Sequence, residues 1–575
     1  MASAVSVKRF DRAYFWLIVP FFAALISIGR VWPVLPAVMQ DEYVYSIQAR
    51  FTPFTEQTFP NYLFSWLYSG TSACGADFYS CGKGLNVLFF LATLAFIFLI
   101  ARRLLSVTWG AMITTIAAFS PIHVYVSYFM PEAMFFSFIT AAIHFALIAG
   151  TKHKLAWWAA TGAVLGLSAL VKPHALFTLP AFLLFGLLVA MRSDQGSLSN
   201  GLVASFGKLG AFAVVKFGGG FVFAGASGLS LFGSSYESSL NQFVSENAQG
   251  QADVSAQNIS NVSLVAPVQA AGASGPGFFE VFIPHSFAHF ALLLTVAGIP
   301  LLLSVSVIKD SVVKKIEISI ASQFLLLIGL LGLTFAVSVS AFEALVTSIG
   351  DDHGSRIITR YYEFLYPMLW IAAAVFAKFV EPTIRVRLFQ SGLAVSALIF
   401  GWIYLSGVNQ SFADSILLSG YLSSPVVIPI VAVIGIIVAL VWVFSAASGA
   451  KLIVYVATPL VLLIAGFTSQ SLLLTQVGTK EAYFDVAGQK AKPLLSDVAG
   501  EKISIVGPVR YQNFTTKFWI DKAGIKDVSL PDGESIDVAA LPDVDFVVLI
   551  GNAKLTGSAQ SLQQGEGYAI VKIVR

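Results

Sequence analysis

Two adjacent carboxylates, Asp41 and Glu42, follow the first long apolar stretch of the chain. A carboxylate can act as a general base that takes a proton from a hydroxyl, or as a metal ligand. Neighbouring positions on a helix point in different directions. One of the two is therefore expected to reach a substrate as a catalytic residue, while the other is left for a structural or metal-directed role. In a simpler interpretation, Asp41 only ends the apolar stretch and hydrates the interface.

Further ionisable and aromatic side chains occur where other apolar stretches begin or end, and each could bind a substrate. They are Glu132, Lys172, His353, Arg356, Arg360 and Tyr361. A guanidinium pairs with phosphate through two parallel hydrogen bonds, so the arginines are candidates for holding a phosphate group. Acids and cations together could bind a lipid phosphate and activate a hydroxyl.

Each of these residues also has a structural interpretation. Glu132 follows Pro131, and a carboxylate at a helix N-terminus is stabilised by the helix dipole. Lys172 and Arg356 could be ordinary interfacial cations, and His353 a loop histidine. Arg360 is harder to explain structurally, because it lies inside an otherwise apolar stretch and ionisable groups at membrane depth are costly.

The composition shows which elements must position these residues. Of 575 residues, 57% are hydrophobic and only 11% are charged. Soluble domains carry about 25% charged residues, and apolar stretches of about 20 residues are long enough to cross a bilayer. The small net charge of +3, without a basic stripe, argues against a nucleic-acid partner. The sequence predicts a polytopic α-helical membrane protein with membrane lipid around it.

Thirteen membrane-spanning helices are predicted from the hydropathy pattern. They lie near 13–36, 84–101, 105–125, 132–150, 155–171, 174–191, 209–232, 286–307, 318–342, 357–377, 389–407, 425–447 and 452–474. The linkers alternate between sets rich in Lys and Arg and sets that are acidic. The positive-inside rule then places the N-terminus in the cytoplasm and the acidic linkers and the C-terminus outside. The first span lacks a small-residue cleavage pattern, so we interpret it as a retained anchor.

The predicted organisation is a transmembrane region at 1–475 followed by an extracytoplasmic domain at 476–575. The outer loops of the first region are predicted at 39–83, 233–284 and 343–356. In the C-terminal part, short β-branched runs at 503–507, 545–551 and 568–574 alternate with helical patterns at 481–498 and 510–522. This predicts a small α/β domain.

The chain has two cysteines, Cys74 and Cys81, both in the first outer loop. An oxidising compartment would permit a disulfide between them. Two unlinked thiols are the alternative, and a metal pair is disfavoured because no neighbouring His or Cys completes a site.

These features together resemble the GT-C superfamily of glycosyltransferases that depend on polyprenyl-phosphate sugars. Within it, the likeness is to the aminoarabinose transferase and protein O-mannosyltransferase group. The shared features are Asp41-Glu42 after the first span, Pro131-Glu132 opening the fourth, Arg360-Tyr361 with the following Pro367, and thirteen spans ending in an outer domain. The C-terminal domain shows no family signature.

The resemblance implies an enzyme that moves a sugar from a polyprenyl-phosphate donor to an acceptor hydroxyl or amine, usually with inversion. Asp41 would be the general base, Arg356, Arg360 and Lys172 would hold the phosphate, and Glu132 would orient hydroxyls. It also implies a bacterial plasma membrane and an envelope glycan, lipid or protein as acceptor. We expect no cofactor, although Asp351, Asp352 and His353 are residue types that could bind a divalent cation.

Three other functions are compatible with many spans and buried charges. A lipid or glycan transporter would place its charges near the membrane midplane, whereas here they gather at one face. An O-antigen-ligase-like enzyme is expected to use Arg and His in a large outer loop, and the predicted outer loop 233–284 lacks both arginine and histidine. A membrane scaffold would act through its C-terminal domain.

Overall fold

The computed structural model describes residues 12–36, 40–192, 197–234, 277–297, 319–348, 356–376, 382–405, 407, 414–422 and 424–575. The first half of the membrane region contains the helices α1 (Ile18–Val31), α2 (Gln40–Arg50), α3 (Tyr62–Ser69), α4 (Phe78–Leu104), α5 (Val107–Phe119), α6 (Glu132–Lys152), α7 (Leu155–Val171), α8 (Leu179–Met191), α9 (Leu198–Ala213) and α10 (Gly219–Ala224). The second half contains α11 (Phe278–Ala297), α12 (Ile320–Ser348), α13 (Leu365–Phe376), α14 (Ile384–Leu405), α15 (Ile416–Leu422), α16 (Val427–Phe444), α17 (Ala446–Leu452) and α18 (Thr458–Gln476).

Within these ranges, nine helical runs are long and apolar enough to cross a membrane, and the bent pair of α5 with 3₁₀ helix Pro121–Ser127 would make a tenth. Three shorter apolar helices, Leu155–Val171, Phe278–Leu293 and Leu365–Phe376, occupy the places of the other three predicted spans. Each predicted span therefore overlaps an apolar helix. The many-helix membrane architecture is confirmed, whereas the count of thirteen crossings is not.

The bend after α5 has a local cause. Pro121 follows Ser120 and has no N–H to continue the helical ladder, and the axes of α5 and Pro121–Ser127 differ by 52°. The tight turn that results points Tyr125 into the interior, where it is almost fully buried. Because of this bend, the Tyr125 hydroxyl lies in the interior of the helical region.

The predicted span at 357–377 begins later than expected, at Leu365. The backbone N–H groups ahead of this helix bond elsewhere. Those of Ile358, Thr359 and Arg360 donate to Glu343 Oε1 at 2.7 Å, Ser415 Oγ at 3.0 Å and the Asp414 carbonyl at 3.1 Å. An N–H used in this way cannot close a helical turn. Residues 356–364, named the arginine segment here, therefore run as irregular backbone inside the protein.

The C-terminal residues form a small α/β unit with helices α19 (Tyr483–Leu494) and α20 (Arg510–Ile520). Its strands are β1 (Ile503–Gly507), β2 (Lys526–Ser529), β3 (Ser535–Asp537), β4 (Phe546–Ile550), β5 (Lys554–Thr556), β6 (Ala559–Gly565) and β7 (Tyr568–Ile573). The main sheet has the order β2-β1-β4-β7-β6, with β2, β1 and β4 parallel and β7 antiparallel to both neighbours. The three strands and two helices expected from the sequence are confirmed.

The sheet is covered on both faces, which explains why the predicted strands are continuous apolar runs. Ile503 and Ile505 of β1 pack with Ala487 of α19, while Val506 points into a second apolar cluster on the opposite face with Val547. β3 and β5 form a separate parallel pair, and these short strands were missed because they are mostly exposed and polar.

The C-terminal unit contacts α2, the helix that carries Asp41 and Glu42. Arg50, the last residue of α2, forms a buried ion pair with Asp521, which also bonds Lys492 Nζ at 2.9 Å. The Tyr43 hydroxyl donates to the Lys522 carbonyl at 3.3 Å. The Arg50 guanidinium also lies 3.7 Å from the centre of the Phe78 ring. Burial of both charges makes this contact sensitive to the loss of either one.

We predict that Asp521→Asn weakens the attachment of the C-terminal unit to α2 by about 3–5 kcal/mol, since it leaves the Arg50 charge buried without its partner. Asparagine suits this position because Asp521 has a φ of 67°, a conformation that Asn tolerates. Limited proteolysis of the 477–482 connection in detergent should become faster. Asp543→Asn removes an exposed carboxylate of the same unit and should change the rate little. Equal cleavage of both variants would contradict the prediction.

Candidate active site

Asp41 and Arg360 meet in an ion pair at the surface of the helical region. Arg360 Nη2 donates to Asp41 Oδ2 at 2.7 Å, across 319 positions of sequence. The Asp41 side chain is 40% exposed, whereas the Arg360 side chain is only 8% exposed. Asp41 is thus the more exposed partner of the ion pair.

Arg360 is also surrounded by two other carboxylates. Its Nε lies 3.8 Å from Glu132 Oε1, and its Nη2 lies 3.9 Å from Asp414 Oδ1. The Asp414 carboxylate bonds Arg356 Nη1 at 3.0 Å. Arg356 is more exposed than Arg360, with 28% of its side chain accessible. Two guanidinium groups are therefore held next to each other through a shared carboxylate.

Glu132 lies at the first position of α6, directly after Pro131, and is fully buried. Its Oε1 forms an ion pair with Lys172 Nζ, which is also buried. Glu132 is thus a carboxylate at a helix N-terminus, as one interpretation predicted, and it also belongs to the cluster of charges around Arg360. Lys172 is fixed by its position between α7 and the 3₁₀ helix Pro173–Thr178.

Tyr361 forms the aromatic wall of this cluster. Lys172 Nζ lies 4.6 Å from the centre of its ring, and the ring of His174 stacks on it at 3.9 Å between centroids. The Arg360 guanidinium carbon is 5.5 Å from the same ring. Cations over an aromatic face are attracted by its quadrupole, so Tyr361 helps to hold two cations side by side.

Glu42 does not share the environment of Asp41. It is fully buried, and its Oε1 accepts a hydrogen bond from the backbone N–H of Phe129 at 2.5 Å. Burial raises the pKa of Glu42 to about 8, with the nearby carboxylates of Glu132 and Asp41 acting in the same direction and the Phe129 bond against it. Glu42 is therefore a neutral acid at neutral pH, and it links α2 to the residues that precede α6.

Two residues of the site were not selected from the sequence. Asp414 lies in the connection between α14 and α15, and its position between two predicted spans was the available signal. Glu363 is buried and accepts bonds from Thr359 Oγ1 at 2.6 Å, the Leu417 N–H at 3.2 Å and the Tyr125 hydroxyl at 3.0 Å. Its three bonds attach the arginine segment to α15 and to the bend after α5.

The remaining predicted residues are placed as follows. His353, with Asp351 and Asp352, lies outside the described residues. A disulfide joins Cys74, in the 3₁₀ helix Gly70–Asp77, to Cys81, in the first turn of α4. The structure thus brings Asp41, Glu132, Lys172, Arg356, Arg360 and Tyr361 together, with Asp414 as an added member.

The sequence shows similarity to one known family. Residues 82–216 match the family model described as dolichyl-phosphate-mannose-protein mannosyltransferase, a range that contains Glu132 and Lys172. A comparison with curated proteins finds no match.

Several solved structures are similar to this chain at low identity. ArnT from Cupriavidus metallidurans bound to undecaprenyl phosphate is 15% identical, with 97% of this chain and 98% of that chain covered and a TM-score of 0.45. The apo state of the same ArnT is 14% identical, with 97% of this chain and 98% of that chain covered and a TM-score of 0.47. The apo oligosaccharyltransferase of Archaeoglobus fulgidus is 12% identical, with 93% of this chain and 70% of that chain covered and a TM-score of 0.47.

The chain has the apolar helices of an integral membrane protein. Over residues 82–216, the family match confirms the predicted resemblance to the GT-C superfamily.

We predict that Glu42→Gln flattens the pH dependence of stability. The pKa of Glu42 is about 8 in the folded protein against an ordinary 4.5, so the folded state holds this proton more tightly. Its contribution to the free energy of unfolding therefore falls as pH rises from 4.5 to 8, by an amount on the order of a few kcal/mol. Thermal unfolding in detergent should show that stability falls more between about pH 5 and about pH 8.5 for the wild type than for Glu42→Gln.

Glu56→Gln is the matched control, because it neutralises an exposed glutamate in the connection between α2 and α3. It should keep the wild-type pH dependence. If stability changed with pH by the same amount in all three proteins, the pKa of Glu42 would not be raised by folding.

We also predict that Glu132 and Lys172 behave as a coupled pair. Glu132→Gln and Lys172→Met should each lower stability by about 3–5 kcal/mol, since either one leaves a buried charge without its partner. The double variant should lose clearly less stability than the two single variants lose together. A double-mutant cycle on thermal unfolding in detergent measures the coupling, and strictly additive effects would argue against the pair.

Proposed function

We propose that this protein is a membrane glycosyltransferase that moves a sugar from a polyprenyl-phosphate donor to an acceptor in the cell envelope, with Asp41 as general base. The observation that carries the proposal is the Asp41–Arg360 ion pair, since it joins an accessible carboxylate directly to a phosphate-binding guanidinium. Transfer between a lipid-borne donor and an acceptor hydroxyl requires these two functions next to each other.

In the proposed donor complex, the phosphate binds to Arg360 and Arg356, the two guanidinium groups that share Asp414. Lys172 adds a third positive charge next to Tyr361. In the structure each of these cations is paired with a carboxylate. A phosphate that approaches Arg360 competes with Asp41, so donor binding releases the Asp41 carboxylate from its ion pair.

The released carboxylate then takes the proton from the acceptor hydroxyl. The acceptor oxygen attacks the anomeric carbon of the sugar as the bond from that carbon to the phosphate oxygen breaks. The polyprenyl phosphate leaves with the electron pair, and the cations stabilise its charge. A single displacement of this kind inverts the anomeric configuration. A phosphate is a good leaving group, so the site needs no general acid.

Glu42 has a positioning role in this proposal. It is neutral and buried, and its bond to Phe129 fixes the first turn of α2 against the residues that lead to Glu132. Glu132 in turn directs Lys172 and neutralises part of the charge around Arg360 before the donor arrives. The acidic linkers and the C-terminal unit face outward in a bacterial plasma membrane, with the N-terminus in the cytoplasm.

The test is transfer of label from a panel of radiolabelled polyprenyl-phosphate sugars by membranes that contain wild-type or Asp41→Asn protein. We expect Asp41→Asn to lower transfer by about 100- to 10,000-fold, the range that general-base catalysis contributes. Photocrosslinking of the labelled donor should persist, because the variant keeps the cations. Asp77→Asn changes an exposed aspartate of the same outer segment and should transfer at the wild-type rate.

The outcomes separate the parts of the proposal. Transfer by wild type with an unchanged rate in Asp41→Asn would reject Asp41 as the base but keep the transferase. Absence of transfer with every donor and membrane acceptor, in protein that is folded, would reject the transferase and favour a transporter.

A further inference from the structure

Two histidines and a glutamate converge between α11 and α12, away from the Asp41–Arg360 ion pair. His285 and His289 are four residues apart on α11 and so lie on one face of the helix. Glu343 comes from the last turns of α12. Glu343 Oε2 lies 2.5 Å from His285 Nδ1 and 2.9 Å from His289 Nε2. We name this group the His-His-Glu triad.

The triad has the composition and geometry of a metal-binding group. One ligand atom from each residue lies within 4.8 Å of the other two. Two imidazole nitrogens and one carboxylate oxygen form a recurrent ligand set for zinc, with a fourth position left for water or another ligand. All three side chains are fully buried. The sequence offered a signal in the spacing His-x-x-x-His inside an apolar helix.

A second layer of hydrogen bonds orients the triad. The other ring nitrogen of His289, Nδ1, lies 2.7 Å from the Tyr362 hydroxyl. The other carboxylate oxygen of Glu343 accepts the Ile358 N–H at 2.7 Å. Metal-binding histidines and carboxylates are normally held in this way by partners on their outer atoms. The atoms that face the centre of the triad are thereby fixed toward one another.

The electrostatic environment also favours a cation. Aromatic rings flank the triad, with Tyr404 at 5.8 Å from His285 and Tyr362 at 5.5 Å from His289 between ring centroids. The fully buried triad offers two imidazole nitrogens and a carboxylate oxygen to a cation at a place from which water is largely excluded.

We propose that His285, His289 and Glu343 bind one divalent transition-metal ion of the zinc class, and that this ion fixes the arginine segment. Two outer bonds of the triad go to that segment, one at Ile358 and one at Tyr362. These two residues bracket Arg360, so the ion would act as a positioning element for the guanidinium. This metal site does not depend on which sugar is transferred or on Asp41 being the base.

The experiment uses full-length protein purified in detergent with any affinity tag removed, because a histidine tag binds the same metals. The protein is stripped with a chelator, dialysed against ZnCl₂ and then against metal-free buffer, and its metal content is measured by mass spectrometry. We expect about one zinc ion per chain, and a higher unfolding temperature after zinc is restored.

His285→Gln and His289→Gln should each retain almost no zinc. His144→Gln is the matched control, since His144 is a partly buried histidine of another apolar helix, α6. It should retain the wild-type amount of zinc. Equal retention by wild type and by the His285 and His289 variants would overturn the proposal.

A measurement on the wild type alone covers the case in which these variants do not fold. Co²⁺ replaces Zn²⁺ in such sites and gives visible absorption bands when it is bound in low-coordinate geometry. Appearance of these bands at one equivalent, with displacement by Zn²⁺, supports the site. Stripped wild-type protein that retains neither Co²⁺ nor Zn²⁺ overturns it and identifies the triad as a hydrogen-bonded group only.

Discussion

The alternation of charge around Arg360 is the constraint on which the structure of the site depends. Arg356, Asp414, Arg360 and Asp41 form a row of opposite charges, and Glu132 links the same arginine to Lys172. Buried charges are tolerated only when they are paired and hydrogen-bonded. Each residue therefore requires its neighbours, and the row draws α2, the start of α6, the end of α7 and the connection before α15 to one place.

This requirement is met by a stretch of irregular backbone, the arginine segment. If apolar character alone determined the secondary structure, the arginine segment would form the first turns of α13. Its N–H groups instead bond Glu343, Ser415 and Asp414, which gives up helical hydrogen bonds for tertiary ones. The irregular backbone is accommodated because it is buried within the protein rather than exposed to lipid. Arg360 can then reach Asp41 at the surface.

The fold was largely readable from the sequence, because hydrophobic stretches that span a bilayer have strong and local signals. Each predicted span overlaps an apolar helix, and the strands at 503–507 and 568–574 were located to within a residue or two. The errors arose where tertiary bonds override local preference. Residues 357–364 looked like helix because their N–H partners, on Asp414, Ser415 and Glu343, cannot be identified from nearby positions.

The site was predictable in its residue types but not in its pairs. Asp41, Glu132 and Arg360 stand out because ionisable groups are rare among apolar stretches. That Asp41 is the partner of Arg360, 319 positions away, depends on the packing of the whole chain. The different environments of Asp41 and Glu42 result from burial, which two adjacent positions in a sequence do not reveal. Asp414 and Glu363 were passed over for the same reason, since only their contacts distinguish them from ordinary loop and helix-flanking acids.

The two halves of the central ion pair are held by separate supports. Asp41 lies on α2, which the buried Arg50–Asp521 pair joins to the C-terminal unit. Arg360 lies on the arginine segment, which Glu363 attaches to Leu417 and Tyr125 and which Glu343 holds at Ile358. In the Asp41–Arg360 ion pair itself, the carboxylate is the more exposed partner, with 40% of the Asp41 side chain accessible against 8% of the Arg360 side chain. Because these supports do not depend on the ion pair, each group would keep its position if the proposed donor displaced Asp41 from Arg360.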